Sequence, residues 1–153
     1  MANKKIIKKK KYYKKELKKL LNIDLDFLII DNFSLTKLFK GGIATINYNK
    51  SKDYYHSHFI NDPTMPGTLQ TEAMLQTIVS IVYLSDFNIN KCLITKYKLS
   101  FINKIEKSSK LTVSANIKLF KRGIINASAS ISNNTKKFSY GEFNFIIPEI
   151  FKL

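Results

Sequence analysis

The spacing of apolar residues along this chain changes twice, and each change marks a new kind of element. From Thr68 to Ser85, Leu69, Ala73, Met74, Leu75, Ile78, Val79, Ile81, Val82 and Leu84 recur at helical spacing and cover more than one face. The spacing predicts a helix buried on most sides. Beyond it the period drops to two. Leu93, Thr95, Tyr97, Leu99 and Phe101 alternate with Ile94, Lys96, Lys98, Ser100 and Ile102. Leu111, Val113, Ala115, Ile117 and Leu119 form the next strand, and Ile125, Ala127, Ala129 and Ile131 a third with small residues in its middle. The last strand carries Phe138 and Tyr140 in one phase, then Phe143, Phe145 and Ile147 in the other, and ends at Pro148. Gly141 stands where the phase slips, which predicts a bulge there. Lys107–Lys110, Arg122-Gly123 and Asn133-Asn134 are the expected turns, the two asparagines because they tolerate the positive φ that hairpins use.

Upstream, Phe27-Leu28-Ile29-Ile30 is an apolar run of strand length, closed by Asp31-Asn32. Gly41-Gly42 opens a second strand, in which Ala44, Ile46 and Tyr48 alternate with Thr45 and Asn47. Asn49 to Asp53 is polar and reads as a turn. The expected order is helix, two strands, one long buried helix, then four strands in a meander. That is an α+β fold, with an antiparallel sheet wrapped around one central helix. No internal repeat or linker divides it. Residues 1–16 read as a lysine-rich tail or helix and residues 17–153 as a single domain.

Composition adds a charge problem. The 153 residues carry a formal net charge of +15, and residues 1–21 alone hold ten lysines against Glu16. Ile6, Ile7, Tyr13, Leu17, Leu20 and Leu21 give that segment a partial apolar stripe, so it reads as a solvated tail with one docking turn. Nucleic acid is a poorly supported partner, because only Tyr12 and Tyr13 offer stacking surfaces there. The excess charge favours an acidic partner through long-range attraction. The single cysteine, Cys92, cannot form an internal disulfide. With no apolar run long enough to cross a membrane and no export signal, a cytoplasmic location is expected.

The chemistry concentrates in residues 58–76. His58 is followed by Phe59, Pro63, Pro66-Gly67 and Glu72-Ala73-Met74-Leu75-Gln76. Taken singly, His58 is a partly exposed structural histidine, Glu72 a polar residue tolerated on a helix, and Met65, Met74 and Leu75 core. Together, an imidazole, a free N–H at a helix start and a carboxylate are the parts needed to move protons beside a carbonyl. His56 and His58, spaced by one residue without a Cys or carboxylate cluster, fall short of a metal-ligand set.

This pattern resembles the 3-hydroxyacyl-[acyl-carrier-protein] dehydratases of bacterial fatty-acid synthesis. Their motif runs His-Phe-Pro-Gly, a short gap, Pro, two residues, Pro-Gly, four residues, then Glu-Ala-Met-x-Gln. His58-Phe59, Pro63, Pro66-Gly67 and Glu72 to Gln76 match it without a gap, and Phe27 to Asp31 is similar to the family's Phe-Leu-Leu-Val-Asp strand. The dehydratase-isomerase branch has Asp at the acid position, so Glu72 favours the plain dehydratase. Ile60-Asn61 stands where the family has Pro-Gly, and Asn22–Asp26 and Lys104–Ser109 also depart from it.

The resemblance implies a hot-dog fold and loss of water from a (3R)-3-hydroxyacyl thioester to give a trans-2-enoyl thioester. His58 is the implied base and Glu72 the implied acid, with Gly67 N–H on the thioester oxygen. Phe59, Pro66 and Gln76 are the implied substrate-side residues. No cofactor or metal is implied. The implied partner is an acidic acyl carrier protein bearing acyl-phosphopantetheine, and the implied assembly is a homodimer or trimer of dimers with His58 and Glu72 drawn from different subunits. Lys96, Lys98, Lys121 and Arg122 are candidate carrier contacts near the tunnel mouth. A hot-dog thioesterase or hydratase is an alternative, the latter weakly echoed by Asp53 and His58. A non-catalytic basic binding module resting on the lysine tail is another.

Overall fold

The computed structural model describes residues 10–48, 58–106 and 109–151. In chain order the elements are β1 (Lys11–Tyr13), α1 (Lys14–Leu21), β2 (Asn32–Lys37), β3 (Gly41–Asn47), α2 (Gly67–Ser85), β4 (Leu93–Phe101), β5 (Lys110–Lys121), β6 (Ile124–Ser132) and β7 (Lys137–Ile146). All seven strands form one antiparallel sheet in the order β1-β2-β3-β5-β6-β7-β4. This is the α+β hot-dog fold, with α2 packed against the sheet. Ala73, Met74, Ile78 and Ile81 of α2 are fully buried, as are Phe33, Val113, Ile125 and Phe143 of the sheet. Thr77 and Ser80 are buried too, and their hydroxyls donate to the carbonyls of Ala73 and Gln76 at 2.7 Å, so neither leaves a polar atom unmet.

Four local expectations change. The run 27–30 is not a strand, and the strand begins at Asn32. Leu28, Ile29 and Ile30 are buried, but the N–H groups of Ile29 and Ile30 donate to Gln76 Oε1 of α2 at 2.9 and 3.4 Å rather than to a neighbouring strand. The four final strands are not a simple meander either. β5, β6 and β7 are joined by hairpins, while β4 pairs with β7 at the far edge of the sheet. Alternation settles which way a strand's side chains point, not which strand lies beside it.

The bulge expected at Gly141 lies at Phe138. Ile131 pairs with Ser139 and Ser132 with Lys137, which leaves Phe138 as the extra residue. Gly141 is in register opposite Leu99, and a Cβ there would stand 2.3 Å from Leu99 Cδ2, so close strand contact accounts for the glycine. Arg122 and Gly123 take φ of 51° and 76° in the β5–β6 turn, as expected of a two-residue hairpin. Asn133 and Asn134 do not take positive φ. Asn133 Oδ1 instead accepts from the N–H groups of Thr135 and Lys136, both at 2.9 Å, so a side chain closes the turn.

At the other edge, residues 11–13 pair with β2, so the sheet takes in part of the segment expected to be tail. Leu17 and Leu21 dock α1 on the core. Ile6, Ile7, Asn49–Asp53, His56 and Lys107-Ser108 lie outside the described residues.

Candidate active site

The segment that carries His58 is folded by its own backbone and by the chain beyond β4. Phe59 and Asp62 exchange both backbone hydrogen bonds, 2.9 and 3.1 Å, and close a turn with Ile60-Asn61 at its tip. These two residues therefore turn the chain without the family's Pro-Gly. Met65 N–H donates to Ile105 O at 3.0 Å, and Ile102 and Asn103 are tied to Phe138 O, so the segment rests on the chain that leaves β4. Pro66 caps α2, and its carbonyl accepts from the N–H groups of Leu69 and Gln70, both at 3.1 Å.

His58 Nδ1 lies 3.3 Å from Thr64 O. A carbonyl only accepts, so Nδ1 carries the proton and Nε2 is left as the basic nitrogen. Phe59 stacks on the imidazole with centroids 4.2 Å apart and is itself exposed. A cavity of about 370 Å³ is lined by His58, Met65, Gly67, Gln70, Phe101 and Lys104. Gly67 heads α2, and its N–H has no partner among the described residues. A Cβ there would press on the Phe101 ring at 3.0 Å, so a glycine keeps this wall open. An unpaired N–H at the positive end of a helix, beside an imidazole, suits a developing oxyanion.

Glu72 faces a different cavity, of about 200 Å³, lined with it by Leu75, Val79, Cys92, Ile94 and Phe145. The two cavities share no lining residue. Gln76 Nε2 donates to Glu72 Oε1 at 2.9 Å and to Phe27 O at 2.9 Å, while its Oε1 takes the N–H groups of Ile29 and Ile30. All four hydrogen-bonding positions of Gln76 are thus occupied within the chain, so at this cavity wall it holds Glu72 in place.

Burial pushes the Glu72 carboxyl above the usual carboxylate range, and the Gln76 amide pulls back by less. The direction suits a group that must hold a proton to give away. It also has a stability consequence. The folded chain holds this proton more tightly than the unfolded chain does, so the contribution is complete below about pH 4.3 and is lost as pH rises through the folded value. Glu72→Gln is expected to remove that loss and leave the protein more stable at pH 7 than the parent. Urea unfolding of both proteins at acidic and neutral pH measures this. A fall with pH as steep in the variant as in the parent would assign the dependence to another group.

One feature of the site had no signal in the sequence. The Thr64 carbonyl that selects the histidine tautomer is backbone, and nothing in the side-chain pattern marks it. The apolar wall beyond Glu72 did have a signal: Leu75, Gln76 and Val79 follow Glu72 at helical spacing on one face. Two of the candidate carrier contacts lie far from the His58 cavity. Lys121 ends β5 and Arg122 opens the β5–β6 turn, beside the Leu93 end of β4. The His58 cavity lies at the Phe101 end, about 27 Å away along a nine-residue strand. The cation at its mouth is Lys104, which is paired with Asp62.

A profile of the FabA-like domain matches residues 25–140. The chain is 28% identical over 140 residues to the 3-hydroxyacyl-[acyl-carrier-protein] dehydratase FabZ of Ruminiclostridium cellulolyticum, which covers 88% of this chain and 96% of that protein. It is 35% identical over 79 residues to FabZ of Buchnera aphidicola, across 50% of this chain and 52% of that one. Among solved structures, the dehydratase heterocomplex ApeI:P of Xenorhabdus doucetiae superposes with a TM-score of 0.72 at 11% identity, over 86% of this chain and 90% of that one. A hypothetical thioesterase with coenzyme A from Streptococcus pneumoniae gives 0.60 at 12% identity, over 78% and 88%. These two likenesses are of fold.

Proposed function

Because the chain belongs to the family of FabA-like domains, we propose that it is a hydro-lyase that converts (3R)-3-hydroxyacyl thioesters on acyl carrier protein to trans-2-enoyl thioesters. Glu72 carries this reading: a carboxyl raised by burial, held by Gln76, facing an apolar cavity. The thioester oxygen sits on the Gly67 N–H, which stabilises the charge that builds as C2 is deprotonated. His58 Nε2 takes the C2 proton. The C3–O bond breaks as the C2=C3 bond forms, and the departing hydroxyl takes the Glu72 proton and leaves as water. Proton exchange with solvent then resets an imidazolium and a carboxylate to their starting states.

Within one chain, Gln70 of the His58 cavity and Glu72 stand two residues apart on α2, about 200° around a helix of 3.6 residues per turn. They therefore point to opposite sides. A dimer whose site joins His58 of one subunit to Glu72 of the other satisfies that geometry. β4 supports this, since it is an edge strand with Leu93, Ile94, Tyr97 and Phe101 exposed, and an uncovered apolar edge invites pairing. Incubating the purified protein with hydroxyacyl carrier tests the reaction. An enoyl product supports it, whereas release of free acid and thiol supports a thioesterase instead.

The carrier is acidic, and Lys104 is the cation placed to meet it at the His58 cavity. Lys104→Glu is expected to raise the apparent KM for the carrier-bound substrate several-fold at low salt. The effect should fade as ionic strength shortens the Debye length toward about 8 Å. Reversing Lys121 and Arg122 should do less. Michaelis constants for all three proteins across a salt series decide it. If Lys121 and Arg122 matter more, the carrier docks at the opposite end of the sheet.

A further inference from the structure

We infer that the cavity beside Glu72 is an acyl-tail pocket whose far end, at Val79 and Cys92, limits the substrate to chains of about ten carbons. The inference rests on the dehydratase reading, because it places C3 of the substrate at the Glu72 carboxyl.

The cavity has a polar end and an apolar body. Glu72 and Gln76 supply the polar end, and the walls are Leu75, Val79, Cys92, Ile94 and Phe145. Val79 lies seven residues beyond Glu72, about 10 Å along the helix axis. A zigzag of roughly 1.5 Å carbon–carbon bonds advances about 1.3 Å per carbon, so that length takes about eight carbons. Volume leads to the same figure. The cavity holds about 200 Å³, and an apolar cavity of about 150 Å³ takes the six carbons of benzene.

The far end is braced by one tie. Tyr83, one turn beyond Val79, is buried. Its hydroxyl accepts the Cys92 N–H at 3.2 Å, which holds residue 92 across the end of the groove. Burial pushes the Cys92 thiol up to about 12, so it stays neutral and serves as an apolar wall. A tail longer than the cavity must break this tie or leave methylenes in water, at about 0.8 kcal/mol for each one not buried.

Turnover of butyryl, octanoyl, decanoyl and tetradecanoyl 3-hydroxy thioesters by the full chain tests this. The wild-type kcat/KM should hold to decanoyl and fall at least tenfold at tetradecanoyl. Val79→Phe and, independently, Cys92→Phe fill the end and should lower the octanoyl-to-butyryl ratio at least tenfold. Val79→Ala should raise the tetradecanoyl-to-octanoyl ratio. Equal wild-type use of tetradecanoyl, or ratios unchanged in both phenylalanine variants, overturns the pocket. Thermal stabilisation by the matching saturated N-acetylcysteamine thioesters reads binding without chemistry. A break after decanoyl with no dehydration at any length keeps the pocket and removes the dehydratase. Dehydration with no break in either series does the reverse.

Discussion

Replacing His58 with alanine should cut turnover of a 3-hydroxyacyl thioester by about 10²–10⁴-fold, and Glu72→Gln should do the same, the range general acids and bases contribute. Neither change threatens the fold. His58 sits on a half-exposed turn, where its imidazole meets Thr64 O and a stacked Phe59. A glutamine at 72 keeps an oxygen for the Gln76 amide to donate to while losing the acidic proton. Circular dichroism should therefore show native protein in both variants. His56, which matches no family histidine, should tolerate alanine with a far smaller loss. Rates near wild type for Glu72→Gln, or equal losses at His56 and His58, would remove these two residues from the chemistry.

α2 and the hairpin strands were legible because their burial is set by their own period. The helix is apolar nearly all round and is buried nearly all round. Where a contact came from a distant residue, local pattern failed. Phe27 to Ile30 has the length and greasiness of a strand, but its backbone is met by Gln76, nearly fifty residues on. Gly141 looked like a phase slip, yet its cause is a side chain of β4, a strand the pattern did not place beside it. The site divides the same way. Motif spacing singled out His58, Gly67 and Glu72, and the structure leaves each in a setting that suits its proposed role. Lys121 and Arg122 lie at the Leu93 end of β4, away from the His58 cavity, a placement that alternation within a strand does not reveal.

Mixing His58→Ala subunits with Glu72→Gln subunits should restore activity that neither parent has. His58 and Glu72 line separate cavities of one chain, and no rotation of the Glu72 side chain carries it to the far side of a buried helix. In a two-fold dimer of the proposed kind, each heterodimer holds one site with both groups intact and one with neither. Random exchange of equal amounts makes half the dimers mixed, so the mixture should recover about a quarter of wild-type turnover. The recovery should rise with time at the rate of subunit exchange, which labelled subunits measure independently. It should also be lost when the β4 edge is blocked, for example by charges at Leu93 and Tyr97, both exposed in the single chain. Parental activity in heterodimers verified by mass spectrometry would mean that the two residues act within one chain, and the shared site would be wrong.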